Sequence, residues 1–224
     1  MNKRKGSRIL IIVTSHDRID ADRPTGLWFE EFAVPYSRFR SSGFDVTVAS
    51  PLGGNAPVDP RSEPKEDAGK IWPDACRVLQ STVPIATVNA ADFDALFLPG
   101  GHGTMFDLPQ NTVLRELIGE MADAGKVISA VCHGPAAFAG VTLRDGTPMV
   151  AGKTMTSFTD DEERAAGLDG KMPFMLETRM RELGARFVPR PNWSDHVECD
   201  GKLITGQNPQ SSESVAAAVM KALG

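Results

Sequence analysis

The residues best suited by type and spacing to do chemistry lie in Ala130-Val131-Cys132-His133-Gly134-Pro135. An apolar, β-branched run leads straight into Cys132, and Gly134-Pro135 is expected to open a helix directly after it. A strand that turns sharply into a helix lifts its turn residue above the carboxyl edge of a sheet, the arrangement of a nucleophile elbow. A helix N-terminus at that point is expected to lower the thiol pKa and favour the thiolate. Two residues before the cysteine stands Ala130 instead of the glycine of the G-x-S-x-G pattern, and alanine is small enough to keep the turn possible. A lone cysteine is more often a buried structural residue; the strand-to-helix setting is what weighs against that here.

Two further segments carry polar groups in unusual company. Leu98-Pro99-Gly100-Gly101-His102-Gly103 is a glycine-rich turn after an apolar run, and its N–H groups, with that of His133, can face an anion as an oxyanion hole. It lacks both the G-x-G-x-x-G spacing and the P-loop lysine, so a nucleotide site is not supported. In Thr25-Gly26-Leu27-Trp28-Phe29-Glu30-Glu31-Phe32-Ala33-Val34-Pro35 two carboxylates stand inside an apolar segment at the start of a helix. Burial would raise a carboxyl pKa there, and Pro35 removes the backbone bond to the Glu31 carbonyl, although a solvated helix face is the default for either glutamate alone. His16 and His102 follow strands and can edge a pocket, but neither has a metal-ligand companion at suitable spacing, so no metal and no cofactor is expected. Trp28 and Phe29 are expected in the core, Cys76 and Cys199 lack an elbow context, and Met172, Met175 and Met180 read as helix packing.

These groups must be held by alternating strands and helices. Strands are expected at Arg8–Thr14, Phe44–Ser50, Ala95–Leu98 and Lys126–Val131, all central in a sheet. Val113, Leu114, Leu117, Ile118 and Met121 repeat on one helix face, with Asn111 as N-cap and Gly125 as terminator. A helix over about Phe174–Leu183 feeds a strand at Arg186–Val188. A hairpin turns at Asp200-Gly201 between Val197 and Ile204, and a helix from Ser211 or Ser212 to Leu223 follows. The segment 52–70 is a long loop or insertion. The pattern is that of a doubly wound, mostly parallel α/β sheet, and 1–224 is expected to form a single domain.

Of the 224 residues, 41% are apolar and 24% charged, ordinary for a globular chain, and the formal net charge of -5 disfavours binding to nucleic-acid phosphate or anionic lipid. Met1 to Lys5 is basic, but the apolar run that follows is too short for a signal-peptide core, and no stretch approaches the roughly 20 apolar residues of a membrane span. Three cysteines without a C-x-x-C pair suggest neither a disulfide framework nor a zinc cluster, and a cytoplasmic, reducing setting is expected.

Taken in order, Thr25-Gly26, Glu31 with Pro35, Pro99-Gly100-Gly101, Val131 to Pro135, Phe158-Thr159-Asp160-Asp161-Glu162-Glu163 and Leu203 to Pro209 resemble the PfpI-like superfamily over nearly the whole chain. The resemblance is closest to the branch of heat-shock-type chaperones and glutathione-independent glyoxalases (glyoxalase III). It implies a flavodoxin-like three-layer sandwich, Cys132 as nucleophile, His133 as its imidazole, Glu163 as the acid orienting that ring, and Glu31 as a buried carboxyl beside the sulfur. Gly101 and His133 would give the oxyanion N–H pair. It implies conversion of methylglyoxal or a related 2-oxoaldehyde to a 2-hydroxy acid through a Cys132 hemithioacetal, with Glu31 moving a proton at a pKa of roughly 5 to 7, and it implies a homodimer. A holding chaperone for unfolded client proteins, or an oxidative-stress thiol sensor, is the alternative reading. A cysteine protease ranks lower, as does an amidotransferase-like hydrolase that would draw on His196-Val197-Glu198.

Overall fold

The computed structural model describes residues 6–63, 70 and 72–224; Met1 to Lys5 and residues 64–69 of the 52–70 segment lie outside them. Its strands are β1 (Arg8–Ile12), β2 (Arg18–Asp20), β3 (Arg23–Pro24), β4 (Asp45–Ser50), β5 (Val83–Pro84), β6 (Ala95–Leu98), β7 (Val127–Val131), β8 (Thr154–Met155), β9 (Arg186–Phe187), β10 (Val197–Asp200) and β11 (Leu203–Gly206). Seven of them form one sheet in the order β10-β11-β7-β6-β1-β4-β5. Every neighbouring pair in it is parallel except the β10–β11 hairpin. The four expected strands all take interior places.

The two faces of that sheet are both buried, and the period-2 alternation of a strand decides which residue goes where. Leu10, Ile12, Leu96, Leu98, Ile128 and Ala130 pack on one side against Leu114, Leu117, Ile118 and Met121. Those four line the inner face of the Thr112–Asp123 helix, which Asn111 caps by accepting from the Leu114 N–H at 2.9 Å and which Gly125 ends at φ +67°. Ile9, Ile11, Ala95, Phe97, Val127 and Val131 point to the other side, where Phe32 and Phe39 of the Phe29–Ser41 helix and Val215, Ala216 and Val219 of the Ser212–Leu223 helix cover them. The result is the expected three-layer α/β sandwich.

Several local expectations change. Arg186–Phe187 pairs in parallel with Thr154–Met155 in a small separate sheet and does not join the main one. The helix before it runs over Leu176–Glu182 only. After Cys132 the chain winds as a 3₁₀ helix, Gly134–Gly140, and not as an α-helix. Gly134 lies so close to β6 that a Cβ there would stand 2.1 Å from the Leu98 carbonyl oxygen.

Sheet order also locates the working edge. From β1 the order runs to β4 and β5 on one side and to β6, β7 and β11 on the other, a topological switch point at which ligands bind beyond the carboxyl ends of the strands. Pro99-Gly100-Gly101 follows β6 at that edge and Cys132 follows β7 beside it. Because the Gly134 contact is with backbone, Gly134→Ala should destabilise the fold by about 2 kcal/mol or more, read as a lower urea midpoint at unchanged m-value. A variant as stable as the parent would mean that β6 and the turn after β7 are not pressed together there.

Candidate active site

Cys132 sits at φ +59°, a left-handed conformation that costs a non-glycine residue of order 1 kcal/mol and persists only when its surroundings enforce it. They do so from both sides: the Cys132 N–H donates to the Gly206 carbonyl at 3.0 Å, and the Cys132 carbonyl accepts from the Phe158 N–H at 2.9 Å. This is the strained elbow expected from the sequence. The thiol inside it is 3% exposed. Burial pushes its pKa well above the ordinary value, and the charge and hydrogen bonding of Glu31 push the same way. The expected lowering by a helix N-terminus is therefore corrected: only a short 3₁₀ turn follows Cys132, and desolvation beside a carboxyl outweighs it.

Glu31 is completely buried while its neighbour Glu30 is exposed. Its Oε2 accepts from the Gly100 N–H at 2.7 Å, and Oε1 has no conventional hydrogen-bond partner among the described residues. A Cβ on residue 100 would lie 2.7 Å from that Oε2 and 2.6 Å from the His133 nitrogen, which is why glycine stands there. Burial raises the Glu31 pKa to about 8, opposed by the Cys132 and Gly100 hydrogen bonds. This exceeds the 5 to 7 expected, because the carboxyl is fully desolvated. At neutral pH both the acid and the thiol hold their protons.

A line of side chains runs from the sulfur. Cys132 Sγ lies 3.2 Å from His133 Nδ1, and His133 Nε2 lies 2.7 Å from Glu163 Oε2. The other oxygen, Oε1, meets His102 Nε2 at 2.9 Å, and Arg61 Nη2 stands 3.0 Å from His102 Nδ1. Burial alone would raise Glu163, but His133 and His102 together hold it well below the usual carboxylate range. Burial lowers His102 to about 4, helped by the charges of His133 and Arg61.

The two adjacent acids have different work. Thr159 begins the Asp160–Ala165 helix with a capping box closed by Glu162. Glu162 then accepts from the Trp193 N–H, the Gln207 amide and the Asn208 amide, tying two loops to the start of this helix. Glu163, one residue on, faces the imidazoles. The glycine turn and the elbow are joined by Thr104, whose hydroxyl donates to the Gly101 carbonyl at 2.8 Å and contacts the His133 carbonyl at 3.1 Å.

The thiol opens onto a cleft of about 300 Å³ walled by Trp28, Phe158, Trp193 and Arg61. Trp28, expected in the core, is thus a wall residue, whereas Phe29 is buried as expected. Arg61 and Trp193 went unread in the sequence, whereas His102 lines the cleft as its place after a strand suggested. His102 had a signal in its glycine turn, but its partner Glu163 lies 61 positions away. Nothing local marked Arg61 or Trp193. His102, His133 and Glu163 bring three possible metal-ligand atoms within 4.8 Å of one another, correcting the view that His102 has no such companion. An ionised carboxylate only accepts, so both Nε2 atoms already spend an N–H on it. A cation would have to displace both. His196 and Glu198 lie 3.2 Å apart at the edge hairpin, while the thiol is met by His133. His16 stacks on Phe106 at 4.8 Å. No helix among the described residues is long and apolar enough to cross a membrane.

Comparison with known proteins finds relatives that span nearly the whole chain. The profile of the DJ-1/PfpI family matches residues 28–222. The chain is 33% identical to glutathione-independent glyoxalase HSP31 of Saccharomyces cerevisiae, over 96% of this chain and 98% of that protein. It superposes on glyoxalase III from Candida albicans with a TM-score of 0.88 at 28% identity, covering 96% of this chain and 97% of that one. Rapid Encystment Protein 24 KDa of Francisella tularensis gives a TM-score of 0.92 at 32% identity, covering 97% and 99%.

The Glu31 proton has a measurable consequence for stability. Its folded pKa of about 8 lies above the 4.5 of a free glutamate, so the folded protein keeps a proton that the unfolded chain gives up. That contribution is complete below about 4.5 and is lost as pH rises through about 8. Glu31→Gln removes the loss, so its melting temperature should gain on the parent's from pH 5 to pH 8, by an amount worth about 4 kcal/mol at most. Parallel melting curves across that range would show that Glu31 is ionised in the fold.

Proposed function

The chain belongs to the DJ-1/PfpI family, and on that premise we propose that it is a glutathione-independent glyoxalase acting on methylglyoxal or a related small 2-oxoaldehyde. The observation that carries the proposal is a buried carboxylic acid beside a thiol that is itself in line with an imidazole and a carboxylate, at the floor of a small cleft.

In this reading Cys132 gives its proton to His133 Nδ1 while the sulfur bonds to the aldehyde carbon. Glu163 stabilises the imidazolium so formed. The carbonyl electron pair becomes an oxyanion, held by the N–H groups of Gly101 and His133, and takes the proton back from His133. In support of that pair, both residues line the cleft, and the His133 backbone N–H is directed at the Cys132 sulfur, where the oxyanion would form. Glu31, once ionised, removes the proton from the former aldehyde carbon and returns it to the adjacent carbonyl carbon through an enediol. One carbon is oxidised as its neighbour is reduced, so no external oxidant enters. Water then cleaves the thioester, releasing the 2-hydroxy acid, lactate from methylglyoxal, and restoring the thiol. The sulfur of Cys132 takes the place that a free thiol such as glutathione would occupy.

A base must be ionised to act, and Glu31 ionises near pH 8. Accordingly kcat/KM for methylglyoxal should climb as pH rises from 6 through about 8. Lactate formation without glutathione should disappear in Cys132→Ala and fall by about 100-fold or more in Glu163→Gln. Glu162→Gln should chiefly lower the melting temperature. Full turnover by Cys132→Ala would overturn the proposal.

A further inference from the structure

Glu163 serves two imidazoles, and the relay from Cys132 requires that only one of them becomes charged. His133 takes a proton whenever the thiol gives one up. If His102 were also to become an imidazolium, it would neutralise the same carboxylate and leave little charge to stabilise His133. Burial is the largest effect against a charge on His102, and the contacts around its Nδ1 act in the same direction.

His102 is 5% exposed, in van der Waals distance of His133 with ring centroids 4.2 Å apart, and edge-on to Phe158 at 6.2 Å. Its Nε2 faces Glu163 Oε1 at 2.9 Å and its Nδ1 faces Arg61 Nη2 at 3.0 Å. A guanidinium has no acceptor, so Nδ1 must carry a lone pair and Nε2 the single proton. Arg61 is fixed in turn by Asp59, whose side chain is fully buried: Nε and Nη2 of Arg61 donate to it at 2.9 and 2.7 Å. Thr25 donates its hydroxyl to the same carboxylate at 2.7 Å. Gly26 lets this strand of chain press against the Asp59 loop, since a Cβ there would stand 2.3 Å from the Pro57 carbonyl oxygen. The charged groups around His102 are therefore Arg61 and Glu163, with His133 and Cys132 behind the second and Asp59 behind the first.

We propose that Arg61 and His102 are positioning residues: Arg61, anchored through Asp59 to Thr25, occupies Nδ1 of His102, keeps that ring neutral with its proton on Nε2, and so reserves the charge of Glu163 for His133. This rests on the reading of Cys132 and His133 as nucleophile and base. It makes the Thr25-Gly26 pair part of the active-site scaffold, four contacts from the Glu163 carboxylate it helps to tune. It also gives Arg61 a role apart from any contact with substrate.

The test combines a resting-state measurement with kinetics on the full chain. In protein labelled with ¹⁵N in its histidine rings, long-range proton–nitrogen spectra at pH 7 should show His102 with Nδ1 unprotonated and Nε2 protonated, and the ring should stay neutral down to about pH 5. Arg61→Met frees Nδ1, and His102 should then take its second proton at a higher pH than in the parent. With methylglyoxal as substrate, Arg61→Met should lower kcat about tenfold with KM changed less than about threefold. Arg61→Lys, which keeps a donor and a charge, should recover part of that loss. The decisive comparison is the double variant. Glutamine cannot be protonated, so His102→Gln should remove most of the sensitivity to Arg61, and Arg61→Met/His102→Gln should be no slower than Arg61→Met alone. A His102 ring protonated on Nδ1 in the wild type would overturn the proposal. So would a His102 ring whose protonation is unmoved in Arg61→Met, or losses that simply multiply in the double variant. The spectra need no turnover, so a wild type without glyoxalase activity but with the expected His102 tautomer would sink the proposed function and leave this pairing standing.

Discussion

The proton that Glu31 keeps is the constraint around which the rest of this site is arranged. A carboxyl with no solvent exposure and one backbone donor is far easier to bury neutral than charged. Neutrality lets it lie against a thiol that is also uncharged, and each group makes ionisation of the other harder. The backbone has to come close for this: Gly100 reaches the carboxylate with its N–H, and the Trp28 N–H donates back to the Gly100 carbonyl at 3.0 Å, clamping the start of the Phe29–Ser41 helix to the end of β6. The left-handed Cys132 then delivers the sulfur from the neighbouring strand.

Two consecutive glutamates show how local geometry divides labour between identical side chains. Glu162 is turned toward the helix start it caps and collects donors from loops more than 30 positions away. Glu163 is turned toward two rings, each of which brings an N–H, and its ionised form is favoured so strongly that it remains an acceptor across the working pH range. One carboxylate organises loops and the other organises protons. A shift of one residue would exchange these jobs.

Much of this was legible in the sequence, and what was legible follows the range of the interaction. Strand and helix placement around Cys132 depends on neighbours within a few residues, so periodicity and turn residues located β6, β7 and the Thr112–Asp123 helix. The roles of Glu31 and Glu163 could not be read that way and came from resemblance, because burial is decided by distant elements. The direction of the thiol pKa was misread for the same reason: a helix N-terminus was anticipated locally, whereas the opposing carboxyl arrives from 101 positions earlier. The pairing of His102 with Arg61 escaped because it spans 41 positions. A histidine in a glycine turn looks the same whether its ring faces an arginine, a metal or nothing.

Charge placement also bears on how the proposed mechanism would run with a thiol that is an unusually weak acid. At neutral pH the region around the sulfur holds no net charge on Glu31, Cys132 or His102, while Glu163 and Asp59 are matched against Arg61 and the proton that His133 receives. A preformed thiolate there would face a buried carboxyl with no water to screen it. In the proposed mechanism, moving the proton from Cys132 to His133 only as the sulfur bonds to carbon would avoid that state, since the negative charge would pass directly to an oxygen near two backbone N–H groups. The carboxylate behind His133 then supplies stabilisation at the instant it is needed. A thiol that is poorly acidic at rest is consistent with fast chemistry when the acceptor, the base and the counter-charge are already in line.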